Sequence, residues 1–356
     1  MKKYFPLFLL LYHWVFAFIG WQYIVGDHGD AVRYWFVGQE VSAYSWKDFF
    51  QPGTDIIHIL TFPFVRYLHL PFWGGFVIFS AWSGYGFYRL WKLIKSIIGE
   101  SDVLFYISAV LLLLPNVHFW TSLIGKESFL FVPFVVLIEQ VWKQRYFSAP
   151  LLTALFAIGI VRPHAAFVVI IALLLSLLFK GKMSLKNKVL LSGAAAVVVV
   201  IMYITLSKIT NAGSHLLDRI ALLYQVHNDK LKATSAYVPL EEYSYPYKIF
   251  TFYFRPLPLE NKGLWYRMVE AESVVILLMG VFLLFWIFKN FTPRKPNVFL
   301  LFAILLLIFY GTMYGYAYAN FGMIVRTRTL VMPALYLLLI EGYRGKGSGF
   351  KVQSSR

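Results

Sequence analysis

Five short stretches of the chain hold residue types that could do chemistry. GDHGDAVRYW, from Gly26 to Trp35, offers Asp27, His28, Asp30 and Arg33. If it is helical, Asp27 and Asp30 share a face. Such a carboxylate pair could accept a proton from a hydroxyl group or hold a divalent cation. It could equally cap the helix that follows. PNVHFWTSLIGKESFLF, from Pro115 to Phe131, carries His118, Lys126 and Glu127. A lysine at a helix start, beside free backbone N–H groups, suits an anion; a lysine at a membrane edge also snorkels to water. GKES is not a phosphate loop, because the first Gly of GxxxxGK[ST] is missing and Glu127 stands where Ser or Thr belongs.

IVRPHAAF sets Arg162 and His164 on either side of Pro163 inside a long apolar stretch. An ionisable group so placed reads as functional by default; the bland alternative is a turn whose arginine meets lipid phosphate. FYFRPLPLE puts Arg255 among aromatic residues, with Glu260 close behind and Glu270 and Glu272 further on. NFGMIVRTRT places Arg326 and Arg328 before the last apolar run. Two residues apart on a helix is roughly 200° around the axis, so both cannot face lipid.

Several arginines, a lysine and a few carboxylates together suit a phosphate or diphosphate, which arginine grips through two N–H groups at once. Tyr and Trp, frequent in the same loops, suit stacking on sugar rings as well as the membrane–water interface. The candidate binding residues are therefore Arg33, His118, Lys126, Arg162, His164, Arg255, Glu260, Arg326 and Arg328. Asp27, Asp30 and Glu127 are the candidate acid–base groups. The sequence forces no metal site or cofactor, although the acidic pair could bind Mg²⁺ or Mn²⁺ weakly.

The elements that must position these residues are membrane helices. The 356 residues are 59% hydrophobic and only 14% charged, against about 25% charged in a soluble domain. Apolar runs recur throughout, which predicts an all-α polytopic membrane protein. The first run lacks a small-residue cleavage site and is too long for a removable signal. Expected spans cover about ten helices, at 4–25, 72–94, 103–116, 128–142, 148–161, 165–180, 189–207, 273–289, 297–318 and 329–343. The pair 148–161 and 165–180 could instead be one helix kinked at Arg162-Pro163. Together they make one membrane domain, 1–343, with outer loops 26–71 and 208–272 and a disordered cytoplasmic tail, 344–356.

The net charge of +16 would suggest nucleic acid in a soluble protein, but no nucleic-acid motif is present. Lys2, Lys3, Arg89, Lys92, Lys95, Lys143, Arg145, Lys180, Lys182, Lys186 and Lys188 sit in short segments that alternate with the spans. The positive-inside rule then places both termini in the cytoplasm, N-in and C-in. On that topology all the unusual chemistry faces out. Ile56–Leu70 and His215–Val226 read as interfacial segments; the second puts Leu216, Leu217, Ile220, Leu223 and Tyr224 on one face. The chain has no cysteine, which excludes disulfides and thiolate chemistry. His13, inside the first span with no acid near it in sequence, reads as a core or interface histidine.

HFWTSLIGKESFLF, the RPH break, FYFRPLPLE and NFGMIVRTRTLVMP, with the helix count, resemble bacterial surface-polysaccharide membrane proteins. These are the oligosaccharide repeat-unit polymerases and the GT-C-type membrane glycosyltransferases. The GT-C resemblance implies an acidic motif in the first outer loop, where this chain has DHGD in place of a tight acidic pair. The polymerase resemblance implies outer-loop arginines, here Arg162, Arg255, Arg326 and Arg328, on a diphosphate-linked lipid. The function so implied is a glycosyltransferase or polymerase in the bacterial inner membrane. Its partners would be a polyprenyl-(di)phosphate-linked sugar donor, a glycan acceptor and membrane lipids, with no nucleic acid. A transporter or flippase of lipid-linked glycans is the alternative; it would need charges along a path through the bundle and a repeat, neither of which is evident.

Overall fold

A computed structural model describes residues 2–27, 29–40, 45–50, 53–182, 184–210, 215–260, 263–289 and 297–344. In chain order the first helices are α1 (Phe5–Asp27), α2 (Asp30–Glu40), α3 (Asp55–Phe62), α4 (Phe72–Ile98), α5 (Asp102–Leu112), α6 (Pro115–Ser122), α7 (Lys126–Trp142) and α8 (Ala149–Val161). They are followed by α9 (Pro163–Lys180), α10 (Leu185–Thr210), α11 (Leu216–Lys232), α12 (Tyr245–Phe254), α13 (Leu264–Lys289), α14 (Val298–Ala317), α15 (Phe321–Arg328) and α16 (Met332–Tyr343). Among the described residues the only extended pairing is a lone bridge between Tyr237 and Asn320.

Among the described residues four helices are long and apolar enough to cross a membrane: Phe5–Val25, Pro163–Lys180, Trp265–Phe285 and Val298–Ala317. Counting the broken pairs α5–α6 and α15–α16 as single spans raises the number to six. The chain is a helical membrane protein. Helices also form at the other expected spans; α4, α7 and α8 each fall short of a plain crossing, while α10 (26 residues) includes side chains outside the described residues. At 17 and 13 residues, α7 and α8 are shorter than the roughly 20 that a span takes. The last turns of α4 carry Arg89, Lys92 and Lys95.

The chain divides into two compact units. The first comprises Met1–Pro163, Val274–Pro293 and Thr329–Arg356. Its core is a set of packed neighbours: α1 on α4, α4 on α7 and α7 on α8, with α16 against α4, α5 and α7. The second unit comprises His164–Ser273 and Arg294–Arg328, and there α12 packs on both α14 and α15.

Local chemistry explains where the helices stop. Ser101 and Ser148 accept hydrogen bonds from Leu104 N and Leu151 N, capping α5 and α8. Asn297 does the same for α14, from Leu300 N at 2.7 Å. Pro115 opens α6 and leaves Leu114 extended, so the 103–116 run is two helices bent by 46°. Likewise Arg162, at φ −139°, separates α8 from α9 just before Pro163, so the 148–180 stretch is two helices. Residues 56–70 become α3 followed by a π-helical turn, Pro63–Tyr67. The tail after Arg344, and the side chains of Leu216, Leu217 and Ile220 on α11, lie outside the described residues.

Candidate functional site

Three segments of the first unit meet around the start of α7. Gly125 is extended, and α7 begins at the next residue with Lys126 and Glu127 in its first turn. Glu127 is buried and forms an ion pair with Arg162, also buried, at the end of α8. Each charge would be costly alone in such a place; paired, they compensate one another. Lys126 is half-buried, and its Nζ donates to Thr54 Oγ1 at 3.1 Å. Thr54 precedes α3, and the adjoining Gly53 N donates to Ile160 O at 2.7 Å. The result is a closed arrangement of 53–54, 125–127 and 160–162. It joins three of the candidate residues: Lys126, Glu127 and Arg162.

The acidic first loop is placed differently. Asp30 opens α2 and is exposed, as is Arg33 one turn on. The side chain of Asp27 and the whole of His28 lie outside the described residues. Sequence reading missed His58 on α3. It is buried between Phe49, with ring centroids 5.2 Å apart, and Tyr34, at 5.4 Å. Burial pushes its pKa below the ordinary histidine value; Asp55 opposes that shift and Arg33 adds to it. The alternation that would reveal such a histidine is absent from HIL, where apolar residues follow it on both sides of the helix.

His118 is fully buried in the core of the first unit and belongs to a different network. Its Nε2 lies 2.6 Å from Leu112 O, a carbonyl left without a helical partner by the break before Pro115. Tyr12 OH donates to the next such carbonyl, Leu113 O, at 2.9 Å. The second nitrogen, His118 Nδ1, is 3.0 Å from Nδ1 of His13, whose Nε2 is 2.9 Å from Ser83 Oγ. One set of neutral tautomers satisfies the whole chain: Ser83 O–H to His13, His13 N–H to His118, and His118 N–H to the carbonyl. Phe87 stacks on His118 at 4.0 Å and 8°. His13 and His118 thus brace the broken α5–α6 segment against α1 and α4.

In the second unit the arginines are held by their own surroundings. Arg255 Nε donates to both carboxylate oxygens of Glu260 at 2.9 Å, and one guanidinium nitrogen donates to Thr251 Oγ1 at 3.2 Å. The rings of Tyr243, Tyr247 and Phe321 each lie 5.3 Å from its guanidinium carbon. Burial is the largest influence on Arg255 and opposes its charge, but the Glu260 carboxylate and Tyr243 together outweigh it and raise the pKa. Arg328, read from sequence as an anion contact, is fully buried. It donates to Tyr253 O at 3.0 Å, to Arg255 O at 2.7 Å and to Ser273 Oγ at 3.3 Å. Those contacts fasten the end of α15 to the turn after α12 and to α13. Arg326 is half-buried, and His164 meets the edge of Tyr314 at 5.7 Å.

The sequence-derived candidates therefore fall into separate groups: Lys126, Glu127 and Arg162; Arg255, Glu260 and Arg328; and His118 in a core network. Among the described residues, no three His, Asp or Glu side chains gather where they could hold a metal ion. No family model matches the chain, and no curated protein or solved structure is significantly similar to it.

Proposed function

We propose that the chain is an integral membrane glycosyltransferase or polysaccharide polymerase whose donor is a sugar carried on a polyprenyl mono- or diphosphate. The observation that carries this reading is Lys126: a cation on the first turn of a helix, held by a threonine hydroxyl and set against the buried Glu127–Arg162 pair. That turn combines a point charge with the positive end of a helix, the arrangement that favours phosphate. The Lys126 turn, in this reading, lies at the depth where a lipid-linked phosphate sits. In this reading the chain crosses a bacterial inner membrane about ten times, with both termini in the cytoplasm.

The reaction moves a glycosyl group. An acceptor hydroxyl oxygen attacks the anomeric carbon, the carbon–oxygen bond to phosphate breaks, and its electron pair leaves with the lipid phosphate. Lys126 neutralises charge as it grows on the leaving oxygen. Asp30 or Asp27 takes the acceptor's proton. Glu127 has another role: a carboxylate gripped by a guanidinium is a poor proton acceptor, so it fixes the turn that carries Lys126.

The test uses the purified full-length protein in liposomes with a labelled polyprenyl-diphosphate oligosaccharide. Release of polyprenyl diphosphate together with a longer glycan is the expected result. Passage of the intact lipid between leaflets without cleavage would replace this reading with a transporter. Neither reaction would refute both.

A further inference from the structure

In the second unit Lys248 is a buried lysine without a carboxylate. It lies near the start of α12 and is 8% exposed. Gly315 explains the burial: a Cβ there would come within 3.2 Å of Lys248 O, so α14 presses directly on the α12 backbone. Lysine is rarely buried unless paired, because its ammonium loses water and leaves three N–H donors unmet. Among the described residues Lys248 Nζ makes no ion pair and donates no hydrogen bond; it lies 3.9 Å from the centroid of the Tyr316 ring. A ring face attracts the charge but covers only one side of it. The acids just ahead are turned elsewhere: Glu241 lies 3.8 Å from Lys232, and Glu242 acts on Tyr237. A snorkelling lysine keeps its head in water, and 8% leaves little room for that.

The start of α12 is open at the same place. Ser101 and Ser148 cap the helices that follow them, but the Ser244 hydroxyl caps nothing. Pro246 has no N–H, and the N–H groups of Tyr245 and Tyr247 donate to no described residue. Helix side chains lean toward the N-terminus, so Lys248 lies over that start. Two rings frame it. Tyr245 and Tyr316 have centroids 6.4 Å apart, and Tyr245 OH is 2.8 Å from Thr312 Oγ1. Open N–H groups at the positive end of a helix, a free hydroxyl and an ammonium make the donor set that suits a phosphate. Depth narrows its source. Thr312 and Tyr316 lie in the last two turns of α14, which is long and apolar enough to cross a membrane. The end of such a helix lies where the lipid headgroups begin.

We infer that the start of α12, completed by Lys248, binds a phosphate ester at the membrane–water boundary. Lys248 Nζ, the Ser244 hydroxyl and the N–H of Tyr247 are its donors, and the Tyr316 ring holds the ammonium in position. The site belongs to the second unit alone, so it stands whether or not the Lys126 turn handles a sugar donor. Its depth favours a phospholipid headgroup; a soluble phosphate ester offers the same chemistry.

The test is a titration of the full-length protein in detergent with phosphatidylglycerol and, separately, with glycerol 1-phosphate, followed by native mass spectrometry. Lys248→Met should weaken binding at least fivefold. Lys230→Met, at an exposed lysine of the same unit, should leave it unchanged, which separates this site from a general loss of charge. Each variant is first checked for unchanged thermal unfolding. Ser244→Ala, at an exposed position whose hydroxyl caps nothing, should weaken binding at least twofold. A Lys248→Met protein that folds decides the matter; Ser244→Ala decides it otherwise. A fall seen with phosphatidylglycerol alone identifies a lipid headgroup, and one seen with glycerol 1-phosphate identifies a phosphate ester that needs no lipid tail; both support the inference. Unchanged affinity for both ligands in the deciding variant, or an equal fall in Lys230→Met, would overturn it and leave Lys248 as a lysine held by Tyr316 alone.

Discussion

The ion pairs of the two units resemble each other on paper and differ in what surrounds them. In the first, Glu127 and Arg162 are 2% and 7% exposed and join helix ends far apart in the chain. In the second, Arg255 and Glu260 are 9% and 25% exposed and lie five residues apart. The second pair closes a turn: Leu257 N donates to Glu260 Oε2 at 2.8 Å, and aromatic rings cover the guanidinium. Arg328 then fastens that turn through the carbonyls of Tyr253 and Arg255. The first pair sits directly beside a further cation, Lys126, at a helix start. The lesson is that an arginine's neighbours, more than its presence in a polar loop, separate scaffold from site.

That contrast can be broken in graded steps. The largest effect should come from Glu127→Gln, which strands a buried guanidinium and should cost about 3–5 kcal/mol. Arg162→Met should cost a similar amount, and the double variant far less than the sum, as a double-mutant cycle on thermal unfolding would reveal. Arg328→Met should follow at roughly 3 kcal/mol, because it frees two buried carbonyls and a hydroxyl. Arg328→Lys should recover only part of that, since an ammonium cannot span the same acceptors. Glu260→Gln should cost about 1 kcal/mol, because its carboxylate is a quarter exposed and the pair is screened.

Lys126→Met sharpens the comparison by separating stability from activity. It should unfold nearly as the parent does, while glycosyl transfer falls by roughly 100-fold or more. The smallest effect concerns pH. His58 has a folded pKa below the ordinary histidine value because it is buried. The unfolded chain therefore takes up protons that the folded chain refuses, so stability declines as pH falls below about 6.5. His58→Phe should flatten that part of an unfolding-versus-pH curve.

Much of the architecture was legible because its causes are local. Pro163 breaks the 148–180 stretch where the sequence offered a break at Arg162-Pro163, whereas the expected 103–116 span ran through Pro115, which opens α6. The spacing of Arg326 and Arg328 required at least one to turn inward, but only packing decides that Arg328 is the fully buried one. Pairings across long stretches were hidden. Glu127 and Arg162 are 35 residues apart, and His13 and His118 are 105 apart. No periodicity links such positions, so His118 read as a loop residue beside Lys126 when it braces a core. The aromatic helix α12 also went unseen inside the long loop, since YPYKIFTFYF has neither a clean two-residue nor a 3.6-residue alternation.

The central claim is that the Lys126 turn binds the phosphate of a lipid-linked sugar. A cryo-EM structure of the full-length protein with polyprenyl monophosphate tests it most directly. The account predicts phosphate density within hydrogen-bond reach of Lys126 Nζ, with Glu127 and Arg162 still paired behind it. Phosphate bound at another place, with Lys126 still donating to Thr54 and its helix start empty, would contradict it.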